Sequence, residues 1–295
     1  MRYSPFHLHV IIATSMRRTD WLSERSLTSV YKQERLNPKE IAIIIVDDNK
    51  LFENNRSKEL PEITGGVGRL RRDLNLSPGE FPTRIINNIK TRGNSGTGAW
   101  NTGIEAAYNV NPDGFVSILD DDDEYLPNHL ENCLAAINHN PSLQAVFQRL
   151  VWRHEDGSFM NHHLIPSDLS PRNFFIGNPG VQGSNMFFKT KSLVEIGGFD
   201  ENFPNTTDRE LMIRFLWHLE KTSGLENSIS VIENVGVVHH NHKMVKVNED
   251  FTKKQMGLEL FYRKFRKHFS EEDFEKSVDR ARILFKFQYP SDSYA

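Results

Sequence analysis

The sequence predicts an α/β fold in which a mostly parallel central sheet is flanked by helices. Three observations predict it: short β-branched apolar runs recur in the first half, segments of helical periodicity separate them, and two of the runs end in acidic clusters. Strands that alternate with helices are typical of parallel βαβ units with helices on both faces. A chain of 295 residues is long enough to bury such a core.

The first half contains four predicted strands and three predicted helices. The strands are expected at residues 9–14, 41–46, 84–90 and 115–119. Helices are expected at residues 20–33, 99–109 and 127–139. The runs are short and rich in Ile and Val, which fits strands that are buried on both faces of a sheet.

Residues 50–82 interrupt this alternation. The segment is polar and contains three prolines and a basic cluster at Arg69, Arg71 and Arg72. It is predicted to be a solvated insertion, and a lid that contacts substrate is the alternative.

The second half is less regular. Strands are expected at 144–152, 186–188 and 235–238, and helices at 190–196, 207–218, 251–268 and 271–287. Ser270 is placed to cap the last of these helices.

Composition excludes several classes of protein. The 36 Lys and Arg residues balance 39 Asp and Glu residues, which argues against a basic nucleic-acid coat and an acidic disordered tail. The single cysteine excludes an internal disulfide framework. The apolar run 10–13 is too short for the core of a signal peptide, and no run approaches the roughly 20 residues of a membrane helix. A cytoplasmic protein is therefore expected.

Five consecutive carboxylates, residues 120–124, follow the strand predicted at 115–119. Neighbouring carboxylates repel one another, and a divalent cation that bridges to phosphates would relieve this repulsion. Oxygen ligands suit Mg²⁺ or Mn²⁺. If the segment is extended, Asp120 and Asp122 face one ligand together. A surface turn that caps the next helix is the alternative.

Two weaker features precede this run. Asp47 and Asp48 end the strand 41–46, where a carboxylate can accept from a base N–H or a ribose hydroxyl, or can cap a turn. Gly96 and Gly98 lie in a glycine-rich loop before the helix 99–109, where the backbone can approach a ligand or a strand closely. The loop lacks the Gly-Lys-Ser/Thr of a phosphate-binding P-loop.

Taken in order, these features resemble the inverting GT-A glycosyltransferases of family 2. That family typically reads VDDxS, NxGxxxARNxGI, LDxDD and GGFDE along the chain. The corresponding segments here are VDDN at 46–49, NSGTGAWNTGI at 94–104, LDDDD at 119–123 and GGFDE at 197–201. TDREL at 207–211 stands where the family often has Glu-Asp-x-Asp-Leu, and the resemblance spans about residues 8–242.

The resemblance implies a metal-dependent inverting transfer from a nucleotide-diphosphate sugar, with a UDP-sugar favoured, to an acceptor hydroxyl. Asp208 is the implied general base, Asp122 the implied ligand of Mn²⁺ or Mg²⁺, and Asp48 the implied contact of the nucleotide base. A helix cap is the alternative role for Asp208. The other residues implied to contact the nucleotide-sugar are Thr14, Arg17, Asn94, Gly96, Asn101, Asp120 and Asp121.

A histidine cluster follows the strand 235–238. In some GT-A enzymes a C-terminal histidine ligates the metal. Alternation would place His240 and His242 on one face, so these two are the expected additional ligands, with His239 on the opposite face. Trp100 stands where many members of the family carry Arg, so a charge near the nucleotide would have to come from elsewhere.

The predicted domains are a GT-A catalytic domain at 1–248, divided near residue 125 into nucleotide-binding and acceptor halves, and a helical extension at 249–295. The extension is basic and aromatic, which fits a packed amphipathic helix, contact with an anionic acceptor, or peripheral contact with a membrane. The acceptor stays open among a glycan, a peptide, a small metabolite and a nucleic-acid base. A nucleotidyltransferase on a similar sheet and a non-catalytic nucleotide-sugar or carbohydrate-binding relative are the alternative functions.

Overall fold

A computed structural model describes residues 7–15, 18–51, 57–93, 95–161, 164–241 and 251–289. Within these ranges, nine strands form one sheet in the order β3-β2-β1-β4-β8-β6-β9-β5, and β7 pairs with β6 at the side. Helices pack against both faces of this sheet. The predicted α/β class with a central sheet and flanking helices is confirmed.

The first half builds the parallel part of the sheet. Its strands are β1 (Leu8–Thr14), β2 (Ile41–Asp47), β3 (Thr83–Asn87) and β4 (Phe115–Asp120). β1 lies between β2 and β4, and all the pairs among these four strands are parallel. The carboxyl ends of the strands therefore meet at one edge, where Thr14 pairs with Asp47 and Ala13 with Asp120.

Helices connect these strands on both faces. They are α1 (Thr19–Trp21) and α2 (Leu27–Tyr31), which are joined by a π-helical segment at Leu22–Ser26, then α3 (Leu60–Asp73), α4 (Thr97–Val110) and α5 (His129–His139). The helix α3 corrects the prediction for residues 50–82. Ile63 and Val67 on α3 are buried in the core, so this part of the segment is a packed helix and not a solvated loop.

The second half adds antiparallel strands. Its elements are β5 (Glu124–Tyr125), β6 (Ala145–His154), β7 (Phe159–Asn161), α6 (Pro171–Ile176), β8 (Met186–Lys189), α7 (Thr190–Glu195), α8 (Thr207–Thr222) and β9 (Ile229–Asn241). β8 runs antiparallel to β4 and β6, whereas β9 is parallel to β6. β9 also pairs with β5, which brings its end beside the acidic residues that follow β4.

Two further helices, α9 (Phe251–Phe265) and α10 (Glu271–Phe285), pack on the second half. Arg172 on α6 forms a two-point ion pair with Asp273 on α10, with N–O distances of 2.9 and 3.0 Å. Leu258, Phe261 and Phe265 on α9 are buried in the same apolar cluster as the inner face of α8. Both helices are thereby held against the rest of the molecule.

Two apolar clusters cover the two faces of the sheet. Leu8, Val10 and Ile12 of β1 belong to one cluster, and Ile11 belongs to the other. This alternation follows from the two-residue period of a strand, and burial on both faces explains why the run is continuously apolar. Among the described residues, no helix has both the length and the apolar character that crossing a membrane would require.

Candidate active site

A cavity of about 630 Å³ lies at the carboxyl ends of the parallel strands. Ligands of open α/β sheets bind in this place. Residues from the first half that line it are Thr14, Arg18, Asp48, Gly96, Trp100, Asp120, Asp121 and Asp122. Residues from the second half and the C-terminal helices that line it are Trp152, Gly183, Thr206, Asp208, His239, Lys254 and Arg280.

The two aspartates that end β2 have different environments. Asp47 is buried, and its carboxylate accepts from the Asn49 backbone N–H at 3.0 Å and from the Ser57 hydroxyl. Asp48 lines the cavity and accepts from the Asn88 amide at 2.6 Å. Desolvation raises the pKa of Asp48 in spite of this bond. Asp47 therefore holds the loop together, and Asp48 is the member of the pair that can contact a ligand.

The glycine-rich loop shapes the cavity wall. Gly96 has a φ of 74° at the start of α4 and lines the cavity. Gly103, about two turns further along α4, lies so close to β1 that a Cβ would overlap the Ile11 side chain. These glycines let α4 begin at the cavity and pack directly on the sheet. Asn94 of the same loop lies outside the described residues.

The structure does not bring Asn101 to the cavity. Its amide donates to the Phe199 carbonyl at 2.9 Å and to the Glu201 carboxylate at 2.8 Å, and its oxygen accepts from the Phe199 N–H at 2.8 Å. Asn101 thus joins α4 to the Gly-Gly-Phe-Asp-Glu segment. Trp100, its neighbour, lines the cavity and packs on Phe199 with ring centroids 5.0 Å apart.

The acidic residues after β4 form a tight turn and not an extended segment. The Asp123 N–H donates to the Asp120 carbonyl at 3.2 Å, and β5 begins at the next residue. Because the chain turns here, Asp121 lines the cavity together with Asp120 and Asp122. Asp123 faces inward and accepts from the Ser184 hydroxyl at 2.6 Å.

Carboxylates crowd this turn. Oxygens of Asp120, Asp122 and Asp123 lie within 4.8 Å of one another. Desolvation and the repulsion from Asp123, Asp122 and Asp121 raise the pKa of Asp120 well above its usual range. Desolvation also raises the pKa of Asp121 to about 7, although Arg18 opposes the shift. The turn carries more negative charge than its protein neighbours balance.

Arg18 is the basic residue of the first half that lines the cavity. Its Nη1 lies 3.0 Å from an oxygen of Asp121 and 3.7 Å from an oxygen of Asp122. Arg17, the residue singled out from the sequence, lies outside the described residues. Arg18 supplies a positive charge at this end of the cavity, where Trp100 supplies none.

The end of β9 places His239, and not His240, at the cavity. His239 Nδ1 lies 2.9 Å from Asp123, and its ring lines the cavity. His240 Nε2 lies 2.9 Å from Glu124, on the other side of the strand. The two histidines face opposite sides of the strand, as the sequence predicts. The register of β9 against β5, however, turns His239 and not His240 toward the cavity. His242 lies outside the described residues.

Asp208 lies in the first turn of α8 and lines the same cavity as the acidic turn. Desolvation raises its pKa to about 7, with opposing effects from Lys254 and His239. Thr206, which directly precedes the helix, has a φ of 66°, a strained conformation for a β-branched residue. Strain of this kind persists only where the surrounding structure enforces it, as it does at many functional sites.

The C-terminal helices contribute two cations to the cavity, Lys254 from α9 and Arg280 from α10. The sequence predicts a basic and aromatic helical region here, with Lys254 among its basic residues, and does not indicate which of them reach the cavity. Lys254 Nζ donates to Asn205 Oδ1 at 3.0 Å and lies 4.2 Å from the centre of the Phe285 ring. Only the packing of α9 and α10 on the second half shows which basic residues reach the cavity.

The residues expected at the site thus divide into three groups. The cavity brings together Thr14, Asp48, Gly96, Asp120, Asp121, Asp122 and Asp208. Asn101 and His240 lie elsewhere, for the reasons given above. Arg17, Asn94 and His242 lie outside the described residues.

Comparison with known proteins identifies the class. Residues 70–197 match the family model described as "Glycosyl transferase family 2". The fold is similar to that of S. aureus TarS residues 1–349 in complex with UDP-GlcNAc, with a TM-score of 0.63 and 13% identity over 95% of this chain and 73% of that chain. No curated protein sequence matches this chain.

A second similar structure is the mannosyltransferase PcManGT from Pyrobaculum calidifontis in complex with GDP-Man and Mn²⁺. Its TM-score is 0.58 at 16% identity, over 96% of this chain and 70% of that chain. The fold shared with these enzymes is the GT-A glycosyltransferase fold. Together with the match over residues 70–197, this fold supports a glycosyltransferase that is similar to family 2, as the sequence motifs indicated.

Replacing Asp208 by Asn is expected to change how stability depends on pH. The native state holds a proton on Asp208 up to a pKa of about 7, whereas the unfolded chain releases it near 3.8. Wild-type stability should therefore fall as the pH rises between these values. From pH 5 to pH 8 the wild type should lose roughly 2–3 kcal/mol relative to Asp208→Asn in urea denaturation.

Asp200→Asn is the matched control. Lys264 and the Asn202 amide outweigh the desolvation of Asp200 and lower its pKa, so this carboxyl is ionised in both states at pH 5 and at pH 8. Its effect on the free energy of unfolding should be equal at the two pH values. An equally constant effect for Asp208→Asn would show that the Asp208 carboxyl is not desolvated.

Proposed function

We propose that this glycosyltransferase is a metal-dependent inverting enzyme that transfers a sugar from a nucleoside-diphosphate donor to an acceptor hydroxyl, with Asp208 as the general base. One observation carries the proposal: Asp208 and the acidic turn at Asp120–Asp122 line the same cavity at the carboxyl ends of the parallel strands. Within one cavity, Asp208 would then meet the acceptor, and the carboxylates of the acidic turn would lie at the donor.

Neighbouring structures support a nucleotide-sugar donor. TarS has been crystallised with UDP-GlcNAc and PcManGT with GDP-Man, so both UDP and GDP donors occur on this fold. In this chain, Asp48 would accept from the nucleotide base, with Thr14 and Gly96 beside it in the cavity. A UDP-sugar is the favoured donor.

The donor end of the cavity suits Mn²⁺ or Mg²⁺. Asp120 and Asp122 offer oxygens to the cavity, and hard oxygen ligands are what these ions prefer. Desolvation and the repulsion from neighbouring aspartates raise the pKa of Asp120, and a bound cation would oppose both effects. When bound, the metal would neutralise charge that develops on the diphosphate leaving group.

Asp123 and His239 would support this site. The contact between His239 Nδ1 and Asp123 is the type of carboxylate–imidazole pair that orients metal-ligating histidines. We therefore assign to His239, and not to His240, the additional ligand position expected from the sequence. The Asp123 carboxylate accepts hydrogen bonds from the Ser184 hydroxyl and from the backbone N–H of His240. Its role would therefore be to stabilise the conformation of the turn.

Asp208 has the properties that a general base needs. It lies at the cavity, and its pKa of about 7 lets it exist as a carboxylate near neutrality and still take up a proton readily. It would accept the proton of the acceptor hydroxyl as that oxygen attacks the anomeric carbon from the side opposite the diphosphate. One such displacement inverts the anomeric centre.

The function is tested with a panel of nucleotide-sugars, by measuring release of the nucleoside diphosphate with and without Mn²⁺. Asp122→Asn should abolish the strengthening of UDP or GDP binding by Mn²⁺, because a metal ligand is lost. Isothermal titration calorimetry measures this effect. Asp113→Asn, an exposed carboxylate on the loop before β4, is the control and should bind as the wild type does.

A result in which Asp122→Asn retains full Mn²⁺-dependent nucleotide binding would remove the metal site from the acidic turn. Nucleotide binding that is equally tight with and without Mn²⁺ in the wild type would contradict metal dependence itself.

For Asp208→Asn, turnover of the donor found in the panel should fall by about 10²–10⁴-fold, the usual contribution of a general base. The Kd for the nucleoside diphosphate should stay within about twofold, because the base contacts the acceptor and not the donor. Asp200→Asn, whose carboxylate pairs with Lys264 outside the cavity, is the control and should keep wild-type turnover. Equal turnover of Asp208→Asn and wild type would refute the assignment.

A further inference from the structure

The charges along the cavity are separated by sign. The turn at Asp120–Asp122 makes one end acidic, with Arg18 paired to it. The opposite end is formed by the C-terminal helices and carries Lys254 and Arg280, with Arg209 of α8 beside them. Asp208 lies between the two ends, because its carboxylate interacts with Asp120 on one side and with Lys254 on the other.

Asp208 is the carboxylate whose charge acts on Lys254, and it makes no direct ion pair with it. Among the residues that the structure describes, no carboxylate forms an ion pair with Lys254 or Arg280. Lys254 donates to the neutral amide of Asn205 and lies over the Phe285 ring. Partly buried cations without a counter-charge are costly, and a bound anion would remove that cost.

The Arg280 side chain fits beside a glycine, where a larger residue would clash with it. Its guanidinium lies against Gly177, at the end of α6, where a Cβ would come within 2.8 Å of the Arg280 Nε. Arg209 differs from Arg280, because its guanidinium donates to the backbone carbonyls of Phe174 and Phe175. Its donors are therefore engaged by the protein itself. Of the described basic residues at this end of the cavity, Lys254 and Arg280 are therefore the ones that can donate to a ligand.

The surroundings of these two cations place them on the acceptor side. Besides desolvation, the charges that act on the pKa of Lys254 are those of Arg209, Asp208 and Arg280, and none belongs to the acidic turn. The charges that act on Arg18 are those of Asp121, Asp122 and Asp120. In the proposed function the donor diphosphate and its metal would lie at the acidic turn beside Arg18, so the basic end is left for the other substrate.

We propose that Lys254 and Arg280 form an anion subsite for the acceptor, so that the enzyme prefers acceptors whose attacking hydroxyl is carried near a phosphate or carboxylate group. The inference rests on the proposed function, because it takes Asp208 as the base that meets the acceptor hydroxyl. The anion would lie at Lys254 and Arg280, and the hydroxyl at Asp208. Leu284 and Phe285 would cover the apolar part of the acceptor.

The test uses three small polyols that differ in charge: glycerol, glycerol 3-phosphate and glycerate. Their binding is measured by titration calorimetry on the full chain saturated with Mn²⁺ and with UDP or GDP, so that the donor phosphate positions are filled. The same titrations are repeated without nucleotide. At least one anionic probe should bind about tenfold or more tightly than glycerol, because charge-assisted hydrogen bonds are worth about that much.

Lys254→Gln and Arg280→Gln should each weaken binding of the anionic probe by about tenfold and leave the Kd for the nucleotide within about twofold. Lys254→Arg and Arg280→Lys should retain most of the affinity. Lys276→Gln and Arg282→Gln are matched controls on α10, because both side chains are exposed and paired with Glu272 and Asp279, and they should bind as the wild type does. Thermal denaturation of each variant shows whether it is folded.

Three results would overturn the subsite: anionic probes that bind no better than glycerol, unchanged affinity in both glutamine variants, or loss of nucleotide affinity in those variants. The last result would assign the two cations to the donor diphosphate. If neither nucleotide binds the wild type in the presence of Mn²⁺, the proposed function fails instead, and the titrations without nucleotide still decide whether Lys254 and Arg280 bind an anion.

Discussion

The site depends on the crowding of carboxylates in the turn that follows β4. Four aspartates occupy consecutive positions there, and three of them line the cavity. The protein holds this turn in place through Asp123, which accepts from Ser184 and from the backbone of β9. It balances only part of the charge, through Arg18. The turn is therefore ordered by the fold, and the cation proposed above would balance the rest of its charge.

The rest of the cavity is assembled from both halves of the chain around this acidic turn. Parallel strands bring Asp48 and Asp120 to one edge of the sheet, and α8 and the C-terminal helices approach that edge from the second half. Desolvation acts on Asp208 and on Lys254. It raises the pKa of Asp208 to about 7 and lowers that of Lys254 to about 8, so both groups are poised near neutrality. A cavity with separated charges suits the proposed reaction, which moves a proton at one point and releases a diphosphate at another.

Much of the fold follows from the sequence because its strands are buried on both faces. The runs around Ile11, Ile44 and Ile118 are continuously apolar, and the structure extends each of the strands predicted there by one residue. Helix α3 could not be predicted in this way. Its three glycines disfavour a helix, and it forms because Ile63 and Val67 are buried in the core.

Site residues that directly follow a buried strand could be predicted from the sequence. Residues whose role depends on the direction of their side chain were harder to predict. The carboxylates of Asp48 and Asp122 follow buried strands, so sequence order alone places them. His239 faces the cavity because Val238 pairs with Glu124, a register that the sequence does not specify. Lys254 reaches the cavity through the packing of α9, which depends on contacts far apart in the chain. Its role could be found only from the folded structure.

The position of a cation at the acidic turn can be observed directly. Crystals grown with Mn²⁺ and UDP or GDP should show one strong anomalous-difference peak in the cavity, bonded to the carboxylate of Asp122 and in contact with the diphosphate. A structure with nucleotide in the cavity but no anomalous peak beside Asp120 and Asp122, or with the manganese bound at a distant site, would contradict the account.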